Sequence, residues 1–259
     1  MYYALFKYIC FTNLIKIIMS KSISFYKFNI TSKAYILCCF LLILVNQVFA
    51  QDNCQRVPLA ISYNFKPLLL NDTAYAYKVK HKIKFEVFKF YISKITLIKS
   101  NQVVWQEDNS FHLIDIEEND SSALCLEIPE DTEFDAIQFN LGIDSLTNVS
   151  GALGGDLDPT KGMYWTWQNG YVNFKLQGTS DLCNNPKNEF EYHLGGYLKP
   201  FNNLQHIKLM VSNSNKFSIS FNMEQFVNGL DLENINHIMS PSAIATELAQ
   251  SAAKCFSIK

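Results

Sequence analysis

The chain has 259 residues, of which 48% are hydrophobic and 18% charged, enough apolar material to pack one or two domains. Its formal net charge is −2, and after the first fifty residues the lysines are scattered rather than clustered, which excludes nucleic acid as a partner.

The N-terminus has the layout of a secretory signal. Lys21, Lys27 and Lys33 precede the apolar run Ala34-Tyr-Ile-Leu-Cys-Cys-Phe-Leu-Leu-Ile-Leu-Val45, and Val48-Phe-Ala50 offers small residues before Gln51. We expect cleavage after Ala50, because the uncharged run is short for the roughly 20 residues that a membrane-spanning helix needs. Residues 1–18 have no place in this layout, so Met19 reads as the start and the preceding residues as an over-extended one. The mature chain, 51–259, is then periplasmic or secreted and has no membrane attachment. No cysteine follows a lipobox-like triplet. Cys54, Cys125, Cys183 and Cys255 remain after cleavage and allow three pairings. They contain no Cys-x-x-Cys spacing, so disulfides or buried thiols are expected rather than a four-thiolate metal site.

From Leu59 onward the hydrophobic period is two. Ile137, Phe139, Leu141 and Ile143 alternate with Gln138, Asn140 and Gly142, and the rhythm recurs at Val172-Phe174-Leu176, Phe190-Tyr192-Leu194, Ile207-Leu209-Val211 and Phe217-Ile219-Phe221. Phe85 to Ile98 is longer, rich in aromatic and β-branched residues and partly apolar on both faces, as a central strand covered on two sides should be. These segments predict a mostly β chain, an antiparallel β-sandwich. The C-terminus changes rhythm: Ser240 as cap, Pro241 at the first helical position and an alanine-rich run to Phe256 predict a C-terminal α-helix, buried along Ile244, Leu248, Ala252 and Cys255.

One stretch stands apart. Between Val149 and Tyr171 lie five of the ten glycines and two of the three tryptophans. Gly151 to Gly162 reads as a long irregular loop, after which Trp165 and Trp167 would share one face of an extended segment. The blocks Asn148-Val-Ser-Gly-Ala152, Leu157-Asp-Pro159, Gly162-Met-Tyr-Trp-Thr-Trp167 and Gly170-Tyr171 resemble the central signature of the MbnP-like family, periplasmic copper-binding proteins related to the methanobactin-associated MbnP. Phe90-Tyr-Ile-Ser-Lys-Ile-Thr-Leu97, Leu113-Ile-Asp-Ile-Glu117, Phe139-Asn-Leu-Gly-Ile-Asp144 and Phe190-Glu-Tyr-His-Leu-Gly-Gly196 resemble its other blocks in the same order. The resemblance runs from about Leu59 to Phe256 and makes 51–259 one MbnP-like β domain. It implies a copper cofactor, a copper ion or copper carrier as partner, and a tryptophan-oxidising haem partner, since copper-binding members use two histidines with a kynurenine made from tryptophan. His193 matches one family histidine residue for residue. The position of the other is held by Val149, and Thr147 stands where the family's tryptophan is expected, which leaves Trp165 and Trp167 as the nearby residues open to modification or ligand binding.

Read on its own pattern, His193 lies with Glu191 on the polar face of its strand, where a hydrogen-bonded histidine is ordinary. His206, beside Lys208, is the second candidate metal ligand if its strand neighbours that of His193; His81, His112 and His237 are weaker candidates. Asp156 and Asp158 suit calcium in type but are too few to define a site, and turn stabilisation is the better reading. No Gly-x-Ser-x-Gly, His-Glu-x-x-His or phosphate-cradling loop ahead of a helix is present, so an enzyme is not expected. Two functions follow: a copper-binding protein, or a non-metal extracellular binding or interaction module on the same fold that uses Trp165 and Trp167.

Overall fold

The computed structural model describes residues 54–71, 74–118, 122–214 and 216–259. The secretory signal expected over residues 1–50 lies outside them. The described residues belong to one compact unit.

The molecule is built on β4, His81–Lys99, a strand of 19 residues. From Phe90 to Ile98 every residue but Lys94 is buried, and Phe85, Phe88 and Phe90 are fully buried on one side with Tyr91 on the other. Before it come β1 (Gln55–Tyr63), β2 (Lys66–Pro67) and β3 (Ala74–Tyr77). After it come β5 (Gln102–Gln106), β6 (Phe111–Asp115), β7 (Ala123–Leu126), β8 (Ala136–Leu141) and the short helix α1 (Ser145–Val149). Two 3₁₀ turns, Gly155–Leu157 and Pro159–Lys161, lead into β9 (Tyr164–Trp165), β10 (Gly170–Ser180) and β11 (Glu189–Gly195). The chain ends with β12 (Gln205–Met210), β13 (Ile219–Asn222), α2 (Met223–Asn228), β14 (His237–Ile238), α3 (Ala243–Ala253) and β15 (Phe256–Ile258).

These strands make two sheets. The larger runs β12-β8-β4-β10-β11-β14, with β3, β5 and β6 also paired to β4 and β9 to β10. The smaller runs β15-β13-β1-β2, with β7 on β1. Pairings are antiparallel except β1 with β13 and β11 with β14, so the sandwich is mixed rather than purely antiparallel. The inner faces meet through phenylalanines: Phe88 lies 5.3 Å from Phe221, and Phe90 lies 5.7 Å from Phe256. Such ring pairs add to the burial of apolar area that drives the packing.

The outer face of the larger sheet is closed by the glycine-rich loop. Leu157 and Met163 from this loop pack with Trp165, Tyr91, Ile143, Tyr171 and Val172 in a second, smaller core. A register shift between Val172 and Phe174 turns Val172 out to this layer while Phe174 and Leu176 point inward, which breaks the alternation that the sequence suggests. Asp158 caps its 3₁₀ turn by accepting from the Thr160 amide, and Asp156 accepts from the Leu113 amide and from Lys161 Nζ. Both carboxylates thus serve the loop.

The C-terminal helix is present, with two shifts from the sequence reading. Its cap is Ser242, which accepts from the Ala245 amide, rather than Ser240. Its buried stripe is Ala245, Ala249 and Ala252, whereas Ile244 is 40% exposed. Small residues let α3 approach β11 and β12 closely, and that contact outweighs the larger side chains. Cys54 and Cys125 form a disulfide that ties β1 to β7, while Cys183 and Cys255 are free and buried.

Candidate functional site

The outer face of β10 and β11 carries the polar side chains that the phenylalanine alternation leaves over. Phe190, Tyr192 and Leu194 enter the core, so Glu191, His193 and Gly195 face the other way. In register with them on β10, Lys175 lies opposite His193 and Gln177 opposite Glu191. On the far side of β11, His237 of β14 lies opposite Glu191.

A chain of hydrogen bonds links these residues. Gln177 Nε2 is 3.0 Å from Glu191 Oε1 and 3.1 Å from His193 Nε2, and His237 Nδ1 is 3.1 Å from Glu191 Oε2. An amide NH₂ has two N–H donors and no lone pair to offer here, so both neighbours accept, and the proton of the neutral imidazole sits on Nδ1. His193 is buried, and that burial, followed by the charges of Lys175 and His237, holds its pKa at about 4. A neutral imidazole with an acceptor Nε2 is the form that binds metals. Burial also lowers the pKa of Lys175, whose ammonium donates to Gly162 O at 3.2 Å.

Trp165 occupies the next position on this face. A Cβ added to Gly195 would come within 2.7 Å of Trp165 Cζ3 and 2.7 Å of Tyr171 O, so only glycine leaves room for the indole. The Gly195 of the His-Leu-Gly-Gly block is therefore the seat of the tryptophan from the glycine-rich block. Trp165 is buried, and its Nε1 has no hydrogen-bond partner. Trp167, 63% exposed, stands in the turn after β9 with its ring 5.4 Å from that of Trp165. The two indoles are adjacent as expected, but one is packed and the other open.

Asn148 fixes α1 to the same end of the sheet. Its side chain donates to Ile143 O and Asp144 O and accepts from the Tyr171 amide. Val149, the next residue, is 69% exposed and has no atom that binds a metal.

His206 does not join this site. Its strand, β12, is the opposite edge of the larger sheet, with β8, β4 and β10 between it and β11. At about 4.8 Å per strand, the two histidines are roughly 19 Å apart. His206 instead lies 2.6 Å from Asn140 Oδ1 through its Nδ1. His81 pairs with Asp181 and His112 with Glu107, each away from His193. The residue that sequence reading undervalued is His237. Its approach depends on the parallel pairing of β14 with β11, and no local pattern announces a two-residue strand.

A sequence profile of the MbnP family matches residues 55–240. The chain belongs to the MbnP family. Its fold is similar to the solved structure of MbnP from Methylosinus trichosporium, with a TM-score of 0.55 over 78% of this chain and 96% of that one, at 11% sequence identity. No curated protein matches this chain. At that identity the likeness concerns the fold.

Copper is the group that the MbnP resemblance implies, and the donors can be tested against it. The family's two-histidine arrangement does not fit, because Val149 replaces one histidine and His206 is on the wrong edge. Among the described residues, no group of three or more His, Cys, Asp or Glu side chains could hold a metal ion. His193 itself does fit: it is neutral, and its Nε2 lone pair and a Glu191 oxygen converge on a single amide nitrogen.

Proposed function

We propose that this chain is an extracytoplasmic copper-binding protein of the MbnP family, with His193 as the residue that holds the ion. The observation that carries the reading is the setting of His193: a buried neutral imidazole whose acceptor nitrogen is met only by a side-chain amide, two residues from the glycine that seats Trp165. When bound, copper would supply metal carriage or redox capacity; the chain's own part is to present one unprotonated imidazole in a partly dry site. Binding rather than catalysis is the role we infer.

Export with cleavage after Ala50 is part of the proposal. The disulfide between Cys54 and Cys125 supports it, since such bonds persist in oxidising compartments. Among the described residues, no helix is long and apolar enough to cross a membrane. The partners we propose are a copper ion or copper carrier and, for tryptophan oxidation, a haem protein. That protein would meet Trp167 first, because Trp165 is buried.

A second reading, a non-metal extracellular binding module, is favoured by Val149 at the expected histidine position and by the open face of Trp167. Metal content of the exported mature protein separates the two. The copper reading expects one copper per chain in the parent and in His81→Ala, and none in His193→Ala with the fold intact. Parent protein that carries no copper even after copper is supplied leaves the binding module.

A further inference from the structure

Two turns at one end of the sandwich carry side chains that their backbone disfavours. Tyr63 pairs with Lys66 across a two-residue turn in which Asn64 and Phe65 have φ of 49° and 62°. Tyr77 pairs with His81 across Lys78-Val79-Lys80, and there Lys78 and Val79 have φ of 40° and 61°. Left-handed backbone suits glycine, asparagine and aspartate, whereas a bulky or β-branched residue is strained in it. The turn between β4 and β5 keeps to that preference with Ser100 and Asn101, as do Asn109, Asn169 and Asn188. Among the described residues other than glycine that have positive φ, only Phe65 and Val79 are apolar.

The same two residues are the most exposed large apolar side chains among those described, Phe65 at 94% and Val79 fully open to solvent. Neither belongs to the core, so nothing within the fold offsets the strain or the exposure. An outlier of this kind points to a function. Both turns flank α2. Ser62, just before the first turn, stands in register with Asn222, the cap of that helix. At the helix's other end Tyr77 Oη donates to Val227 O at 2.8 Å and Lys78 Nζ to Leu230 O at 2.9 Å. Tyr63 Oη donates to Ala76 O at 2.8 Å and so joins the two hairpins.

Lysines bracket both tips. Lys66 follows Phe65, Lys78 and Lys80 enclose Val79, and Lys82 is exposed on β4. The carboxylates of this end are Asp181, which pairs with His81 and accepts from the Lys82 amide, Asp231, which accepts from Asn234, and Glu224 on α2. An apolar side chain beside ammonium groups is the pairing that a bilayer surface recognises, since the first enters the boundary of headgroup and acyl chain while the second meets lipid phosphate. A protein partner is the poorer fit, because a stable interface buries about 800 Å² on each side and two single side chains on separate turns offer far less.

We propose that Phe65 and Val79 insert into the surface of an anionic phospholipid bilayer, with Lys66, Lys78 and Lys80 at the lipid phosphates. The contact is peripheral and reversible, needs neither a span nor a lipid anchor, and does not depend on the copper reading.

The test is flotation of the mature chain with vesicles of phosphatidylcholine alone and of phosphatidylcholine mixed with phosphatidylglycerol, with thermal melts of every variant. The parent should float with the mixed vesicles, about tenfold more weakly with phosphatidylcholine alone, and less well as salt rises. Phe65→Gly and Val79→Asn should each weaken binding about tenfold, yet melt at or above the parent temperature, because both new residues accept left-handed backbone. Lys80→Gln should weaken it about fivefold. A parent that floats with neither vesicle, including one that self-associates through these turns instead, overturns the proposal. So does a Phe65→Gly, Val79→Asn double variant that floats like the parent. Single variants that melt well below the parent assign the two side chains to the fold and overturn it as well.

Discussion

The indole of Trp165 rests on Gly195, with Cζ3 only 2.7 Å from where a Cβ on that residue would stand. A methyl group there meets the ring on one side and Tyr171 O on the other, and the backbone oxygen cannot swing away. Gly195→Ala should therefore destabilise the protein by about 1–3 kcal/mol, the usual cost of overpacking. Thermal unfolding followed by tryptophan fluorescence checks this, and the emission of the folded variant should shift as Trp165 is displaced. Gly154→Ala, which meets nothing within 4 Å, is the control and should melt like the parent.

The cysteines make a second prediction. Cys54 and Cys125 are joined, and Cys183 and Cys255 are buried thiols. Burial alone pushes Cys255 up to about 12, and burial also raises Cys183, so neither forms the reactive thiolate near neutral pH. The mature folded chain should show no thiol towards a disulfide reagent at pH 8, and two after unfolding without reductant. Two reactive thiols in the folded protein would contradict the placement of both residues.

The depressed pKa of His193 predicts an acid sensitivity. The unfolded chain takes up this proton near pH 6.5 and the folded chain only near pH 4, so between those values the unfolded state binds more protons. The stability tied to the neutral imidazole is complete above about pH 6.5 and is lost by about pH 4. At 1.36 kcal/mol per pKa unit the loss is about 3 kcal/mol at most. His193→Gln, which does not titrate, should lose less stability than the parent between pH 7 and pH 4 in metal-free buffer. Equal slopes in urea unfolding across that range would refute the assignment.

The core offers a simpler check. Phe139 is fully buried on β8, with its ring 5.5 Å from Phe256 across the two sheets. Phe139→Ala should cost about 3–5 kcal/mol, and Phe139→Asp should cost several kcal/mol through an unpaired buried charge. Urea midpoints measure both, and a variant that unfolds like the parent would place Phe139 elsewhere.

Much of this fold could be read from the period-two segments, because Phe139, Phe174, Phe190 and Phe221 each mark the inner face of a strand by their alternation. The reading failed where a local pattern gives way to a tertiary contact. Val172 turns outward at a register shift, and α3 buries Ala245 rather than Ile244 because the helix lies close to the sheet. At the site, the family block pointed to His193, and its polar-face position with Glu191 followed from strand alternation. Its neighbours did not. His206 shares the outward orientation but sits four strands away, a matter of strand order that a sequence does not display. His237 reaches Glu191 through a parallel pairing, and the need for glycine at position 195 appears only when Trp165 folds back over it.

Copper-edge anomalous diffraction from crystals of the mature protein soaked in Cu(II) locates the ion directly. One strong peak is expected on the outer face of β11, at about 2.0–2.1 Å from His193 Nε2, and none in His193→Ala crystals. A peak at His206 on the opposite edge of the sheet, or no peak in protein whose solution form takes up no copper, would contradict it.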